Sequence, residues 1–259
     1  MTDPRIASLV PSATELLAAL GLAPWLVART GWCTHPATAL AAVPKVGGTK
    51  DVNLAKLRRL APTHVVVNVD ENRLETVQAL REFVPRVIVT HPNGLADVPA
   101  LIEQLRAAFA PRADAAAAAL QAELAAELEA TQPAAFAPLS VLYLIWREPW
   151  MTVARDTYIA RLVARAGGIT LPAVEGGPAG AARYPALSGD EPWLAGVDEV
   201  WLSSEPYAFG AEHARQAQAL CPRARVRLVD GRLLSWHGAS TAPGLRYLRH
   251  LRAAEHRPA

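Results

Sequence analysis

The chain has 259 residues, 51% hydrophobic and 19% charged, with a formal net charge of +2. That size and apolar content give a folded protein with a large core in one or two domains, and exclude a disordered or low-complexity chain. The small net charge, with Lys and Arg spread along the chain, excludes a basic nucleic-acid grip, and two cysteines, Cys33 and Cys221, are too few for a disulfide framework, though a single bridge stays open.

The opening MTDPRIASLVPSATELL shows no basic leader with a long apolar core and a small-residue cleavage site. No run approaches the ~18 apolar residues that span a bilayer. The expectation is a soluble chain without an export signal: cytoplasmic as written, periplasmic if the true start lies upstream.

Arg5–Val10 reads as a strand, ended by Pro11-Ser12. Ser12 or Thr14 is placed to cap the helix Glu15–Leu20, and Gly21 stops it. Trp25–Arg29 is the next strand, giving a first βαβ unit. Two loops follow, Thr30–Pro36 with Trp32, Cys33 and His35, and Val43–Lys50 with paired glycines. Asn53 caps Leu54–Leu60, His64–Asn68 is a strand, Glu71–Phe83 a helix and Arg86–Thr90 a strand. Residues 1–95 thus form an N-terminal α/β lobe of about four strands.

Residues 96–138 carry a long Ala/Leu-rich helical run. Leu101, Leu105 and Phe109, then Leu120, Leu124 and Leu128, recur at i, i+4 on one apolar face. Pro111 predicts a break near Ala110–Arg112, with the continuous part from about Ala113 to Ala130. On pattern alone this run is either a surface helix or a helical spacer joining two lobes. Beyond it, residues 139–259 repeat the βα order. Ser140–Trp146 is a strand, Asp156–Ala166 a helix, Leu171–Tyr184 a loop and Leu187–Ala195 a short helix capped by Ser188. Glu199–Ser203 is a strand, His213–Leu220 a helix, Val226–Val229 a strand and Gly238–Leu251 the closing helix. The fold class is α/β, two Rossmann-like βα lobes with a long helix between them.

Open parallel sheets bind ligands beyond the carboxyl ends of their strands. Unusual residues cluster there: Ser12; Trp32, Cys33 and His35; Asn68 and Glu71; Trp146 and Trp150; Glu205; Trp236 and His237. Trp32, Trp146, Trp150, Trp193 and Trp236, five of seven tryptophans, lie in loops or at element edges, where indole faces suit a flat or bulky organic ligand. Core packing is the alternative at each position. Cys33 and His35 admit a nucleophile–base reading, but an i, i+2 pair in a loop need not converge. Metal binding by Cys33, His35, His91 or His237 stays open. Gly47-Gly48-Thr49-Lys50 lacks the spacing of a phosphate loop. Glu71 and Glu205 follow strand ends at comparable places, as solvated carboxylates or as a pair of acidic docking knobs.

Ile6–Gly21 (IASLVPSATELLAALG), Val43–Asn53 (VPKVGGTKDVN), Pro62–Asn72 (PTHVVVNVDEN), Tyr184–Ser188 (YPALS) and Leu234–Ser240 (LSWHGAS) together resemble the helical-backbone class of ABC-importer substrate-binding proteins, most of all its cobalamin-binding branch. The resemblance implies two α/β lobes joined by one long helix, with the ligand in the cleft between them, and small lobe motion. By position it places cleft aromatics at Trp150 or Met151, Tyr184 and Trp236, and acidic knobs for a transporter at Glu71 and Glu205. The export signal and lipidation cysteine of that class are not in this sequence, and Trp32–His35 is richer than its counterpart there.

The resulting expectation is a non-enzymatic, monomeric receptor for cobalamin or a metal chelate such as a siderophore or haem, serving an ABC importer permease. It has no covalent cofactor, no nucleic-acid partner and no membrane span. Trp32, Trp146, Trp150, Tyr184 and Trp236 provide apolar faces; Ser12, Asn68, Ser188 and His237 polar contacts; Cys33 or His35 a metal contact. The alternative is a cytosolic cofactor-handling protein or enzyme on the same scaffold, using Cys33 and His35.

Overall fold

The computed structural model describes residues 3–253, so the outermost ends of the two expected lobes lie outside the described residues. The chain divides into two compact units. The first takes residues up to Pro92, then Ala96–Glu123 and His237–Ser240; the second takes Asn93–Leu95, Leu124–Trp236 and the chain from Thr241 on.

The first unit opens with β1 (Ile6–Ser8), α1 (Pro11–Ala19) and β2 (Leu26–Arg29). Helix α1 begins earlier than the sequence suggested. Pro11 fills its first turn, where a missing N–H costs nothing, and Val10 is its N-cap with no side-chain bond. Ser12 and Thr14 are not caps. Thr14 Oγ1 is shared between Val10 O and Ser8 Oγ, tying the helix back to the strand that precedes it. A one-turn helix, α2 (Ala37–Leu40), follows, then α3 (Leu54–Arg59), where Asn53 accepts from Lys56 N at 2.8 Å, the expected cap. Next come β3 (His64–Asn68), α4 (Leu74–Arg81) and β4 (Arg86–Thr90). All pairings are parallel, in the order β2-β1-β3-β4. Ala7, Leu9, Val65 and Val67 bury one face against Leu57, Val77 and Leu80 from the helices.

The Ala/Leu run forms two helices, α5 (Val98–Phe109) and α6 (Asp114–Ala130), parted at the proline as the pattern predicted. Leu101, Leu105 and Phe109 are buried on the apolar face of α5. Residues of α6 belong to the first unit up to Glu123 and to the second from Leu124. Within the second unit, Glu127 accepts from both Arg246 and Arg249, and Arg165 donates to Leu128 O, fixing the C-terminal turns of α6.

The second unit continues with β5 (Leu139–Leu144), α7 (Tyr158–Arg165), β6 (Gly168–Thr170), β7 (Glu199–Ser203), α8 (Ala211–Leu220), β8 (Arg225–Val229), α9 (Gly231–Ser235) and α10 (Thr241–Ala253). The three-residue strand β6 and the one-turn helix α9 went unread in the sequence because each is too short to show a period. Leu187–Ala195 is not a helix: only Pro192–Gly196 winds, as a 3₁₀ turn. Ser188 caps no helix; its N–H and hydroxyl go to Glu191 and Asp190. The sheet is parallel, in the order β6-β5-β7-β8, repeating the topology of the first. Among the described residues, no helix is long and apolar enough to cross a membrane.

Candidate functional site

In both sheets the strand order reverses between the first and third strands, β1/β3 and β5/β7. Ligands of open parallel sheets bind beyond the carboxyl ends of the strands at that switch point. The two units fill theirs with different chemistry.

In the first unit the switch point is a polar weave. Asn72 Oδ1 accepts from Asn68 N at 2.9 Å, while Asn72 Nδ2 donates to Thr49 O at 2.9 Å and Leu9 O at 3.3 Å. Asn68 Oδ1 accepts from Asp70 N at 2.8 Å. Asn68 is buried and engaged in shaping the loop after β3. Lys50 donates to Asp70 O, and His91 Nε2 lies 3.6 Å from Asp70 Oδ1. Glu71 is half-buried in this turn, so burial pushes its carboxyl up, with Lys50 pulling it down, Asp70 pushing it further up and the Thr49 hydroxyl lowering it. It is a recessed carboxyl, not a freely solvated one. On the β1 side, Ser12 Oγ lies 3.3 Å from His237 Nε2, and Ser240 Oγ donates to Glu15 at 2.5 Å, so residues 237–240 pack onto α1. Burial first, and His91 to a lesser degree, lower the imidazole of His237 to about 4, against its own backbone hydrogen bond, so it is neutral at pH 7.

Beside this weave, Arg29 anchors the loop after β2, donating to Cys33 O at 2.9 Å and Leu40 O at 3.3 Å. The Cys33 thiol is fully buried, 3.1 Å from Thr30 Oγ1 and 3.8 Å from Ser8 O, and burial raises its pKa. His35 is exposed, with Nδ1 3.0 Å from Thr34 Oγ1. The structure therefore does not join Cys33 and His35 as nucleophile and base, and it encloses the sulfur that a metal contact would need. Trp32, between them in sequence, is 65% exposed. Its indole lies against Gly48, whose Cβ would meet Trp32 Nε1 at 3.4 Å. Gly47 has φ +104°, and a Cβ there would stand 2.3 Å from Asp51 O. The paired glycines serve this backbone approach and seat the indole; they are no phosphate loop.

In the second unit the switch point is aromatic. Residues 145–151 turn tightly, with Ile145 N to Met151 O at 2.9 Å and Met151 N to Trp146 O at 3.1 Å. The segment 183–187 pairs alongside through Ala154 N to Arg183 O, Thr152 N to Pro185 O and Leu187 N to Trp150 O, with Met151 paired to Ala186 and half-buried Tyr184 across from Val153. Trp150 is buried, stacked on Phe209 at 6.0 Å under the Arg147 guanidinium at 4.5 Å. Trp146 is 41% exposed. The turn after β7 is pinned by Ser203 Oγ, which accepts from Tyr143 and donates to Glu205 O at 2.5 Å. Gly231 permits this: a Cβ there would meet Ser203 Oγ at 2.3 Å. Half-buried Glu205 leads into Tyr207, which packs edge-on against Trp146 at 5.3 Å.

Of the expected aromatic faces, Trp32, Trp146 and Tyr184 keep open surface, while Trp150 and Trp236 are buried. Exposed Ser188 is tied into its own turn, and buried Ser12 and His237 face each other. The sequence reading placed Tyr207 at this strand end without a role and left out Phe209 and His213, whose rings pack against it; the aromatic spacing after β7 was the available signal. Among the described residues, no group of three or more His, Cys, Asp or Glu side chains is placed to hold a metal ion.

Proteins similar to this chain are named as binding proteins. A vitamin B12-binding protein of Pectobacterium atrosepticum is 27% identical over 168 residues, covering 63% of this chain and 60% of that protein's length. The chain thus matches less than two thirds of that relative. The Vibrio cholerae counterpart is 26% identical over 211 residues, covering 81% and 71%. Two solved structures share the fold over 98% of both chains, each 23% identical: the periplasmic vitamin B12-binding protein of Vibrio cholerae, with a TM-score of 0.79, and the apo form of a periplasmic haem-binding protein from Roseiflexus sp. RS-1, with 0.78. The profile of one family, described as periplasmic binding protein, matches residues 6–186, and with its two parallel-sheet units the chain belongs to that family.

Proposed function

We propose that this protein is a receptor that captures a bulky, cofactor-like ligand, a cobalamin or a metal chelate such as haem, for an ABC importer. The observation that carries the reading is the pair of exposed indoles, Trp32 and Trp146, each at the carboxyl end of a strand in a protein that buries Trp150 and Trp236. A large aromatic left partly open at a strand end offers much contact area at low entropy cost. Relatives named for vitamin B12 and neighbours named for haem support the same class of ligand.

The role is binding, not catalysis. The enclosure of the Cys33 thiol beside Thr30 Oγ1 supports this reading. Cys33→Ala therefore leaves ligand affinity intact, whereas a Cys-dependent enzyme or metal site loses its activity. The ligand is transported cargo, held without a covalent cofactor by a monomer. Glu71 and Glu205, one in each unit, dock on arginines of the permease; reversing both charges abolishes partner association and spares ligand binding. The family's periplasmic setting is carried over in the same sense, and fractionation of the producing cells tests it. The direct test of function is tryptophan fluorescence titrated with cobalamins, haem and ferric chelates. Quenching with a Kd far below ~1 mM, where binding energy is only about 4 kcal/mol, supports the receptor; no quenching by any of them refutes it.

A further inference from the structure

Tyr207 sits at the β5/β7 switch point, half-buried, with its ring edge-on to exposed Trp146 and 4.8 Å from Phe209. Its hydroxyl lies 3.1 Å from His213 Nε2. The direction of that bond follows from the other side of the ring. His213 Nδ1 accepts from the backbone N–H of Gly210 at 2.9 Å, so Nδ1 carries a lone pair and the ring proton resides on Nε2. Nε2–H then donates and the Tyr207 oxygen accepts. A phenol that accepts from its one side-chain partner keeps its own proton for another acceptor, and among the described residues the Tyr207 hydroxyl has none. The imidazole is itself clamped: edge-on to Tyr207 at 5.2 Å and to Phe209 at 5.5 Å, at the first turn of α8.

We propose that Tyr207 is a ligand-contacting residue that donates its hydroxyl proton to a carboxylate or carboxamide oxygen at the edge of the bound molecule, and that His213 is the positioning residue that holds the hydroxyl in this donating state. The proposal rests on the receptor reading and sharpens it. Trp146 supplies an apolar face at the same switch point, and Tyr207 beside it supplies the polar selection. A macrocycle fringed with carboxylates or carboxamides satisfies both, and a purely apolar one leaves the phenol proton unmatched in a half-buried place.

The test combines two measurements on the full chain. Imidazole ¹⁵N NMR of the ligand-free protein, with His213 assigned by its loss in His213→Gln, reads the tautomer. Nε2–H is expected, and Nδ1–H overturns the proposal. Titration with cyanocobalamin and with haem then compares the wild type with Tyr207→Phe, which keeps the ring and its packing. A loss of about five- to ten-fold in affinity, with an unchanged unfolding midpoint, is expected. His213→Gln weakens binding several-fold in the wild-type background and adds nothing in the Tyr207→Phe background, which a merely structural histidine does not do. Wild-type binding with Tyr207→Phe unchanged overturns the assignment alone. A wild type that binds neither probe overturns the receptor reading and this assignment together.

Discussion

The two switch points share one topology and almost nothing else. At β1/β3, Asn68 and Asn72 bond the backbone of the surrounding loops, Lys50 donates to Asp70 O, and His91 Nε2 lies 3.6 Å from Asp70 Oδ1. At β5/β7, aromatic rings lean on each other with Trp146 41% exposed and Tyr207 half-buried. The difference teaches that a repeated βα scaffold divides labour. The first crevice spends its side chains on holding loops in place, including the loop at Thr49 beside Gly48, against which the Trp32 indole lies. The second leaves the Trp146 ring partly open. Substitutions at the first crevice should therefore act on stability, and those at the second on affinity.

The comparison is broken most forcefully at Asn72. Its replacement by alanine strips the partner from Asn68 N–H and withdraws donors from Leu9 O and Thr49 O, all buried or part-buried. A loss of about 3 kcal/mol is expected in urea unfolding; a loss below ~1 kcal/mol would show that the weave is not structural. Acid probes the same crevice. His237 is lowered from 6.5 to about 4 in the folded protein, so between those values the unfolded chain binds the proton and the native one does not. Its contribution is present above pH 6.5 and lost as pH falls toward 4, on the order of 3 kcal/mol. Unfolding midpoints measured across this range should flatten in His237→Gln, and an equal acid response in both proteins would remove His237 from the account.

At the second crevice the effect moves to the ligand. Trp146→Ala should weaken binding by about ten- to thirty-fold while costing about 2 kcal/mol of stability, less than Asn72→Ala, because the ring is 41% exposed in the folded state. A drop in stability without a drop in affinity would reverse the assignment of the two crevices. The smallest change is a null one. Cys33 and Cys221 are both buried with raised pKa values, so a thiol reagent at pH 7.5 should label the native protein far more slowly than the unfolded one. Rapid native labelling of Cys33 would reopen that loop as a chemical site.

Much of the fold was legible in the sequence, and the exceptions are physical. His64–Asn68, Arg86–Thr90 and Glu199–Ser203 emerge with the boundaries read from pattern, because buried parallel strands are dense apolar runs bounded by turn residues. Pro111 marked the gap between α5 and α6, and Asn53 marked the start of α3. Residues 168–170 escaped because three residues carry no period, and Ser12 was misread as a cap because Pro11 starts the helix one residue before it. The site was legible where a residue's role is local. Trp32 and Trp146 stand out as large apolar side chains in loops. The Ser12–His237 contact spans 225 residues of sequence, and the direction of the Tyr207–His213 bond depends on a backbone N–H at Gly210. Neither has a linear signature.

The measurement closest to the central claim is isothermal titration of the wild type and Trp146→Ala with cyanocobalamin and with haem. The account predicts one-to-one binding of at least one of them by the wild type, with a Kd of about 10 μM or tighter, and at least a ten-fold weaker Kd in the variant. No binding of either ligand below ~1 mM, or identical affinities in the two proteins, would contradict it.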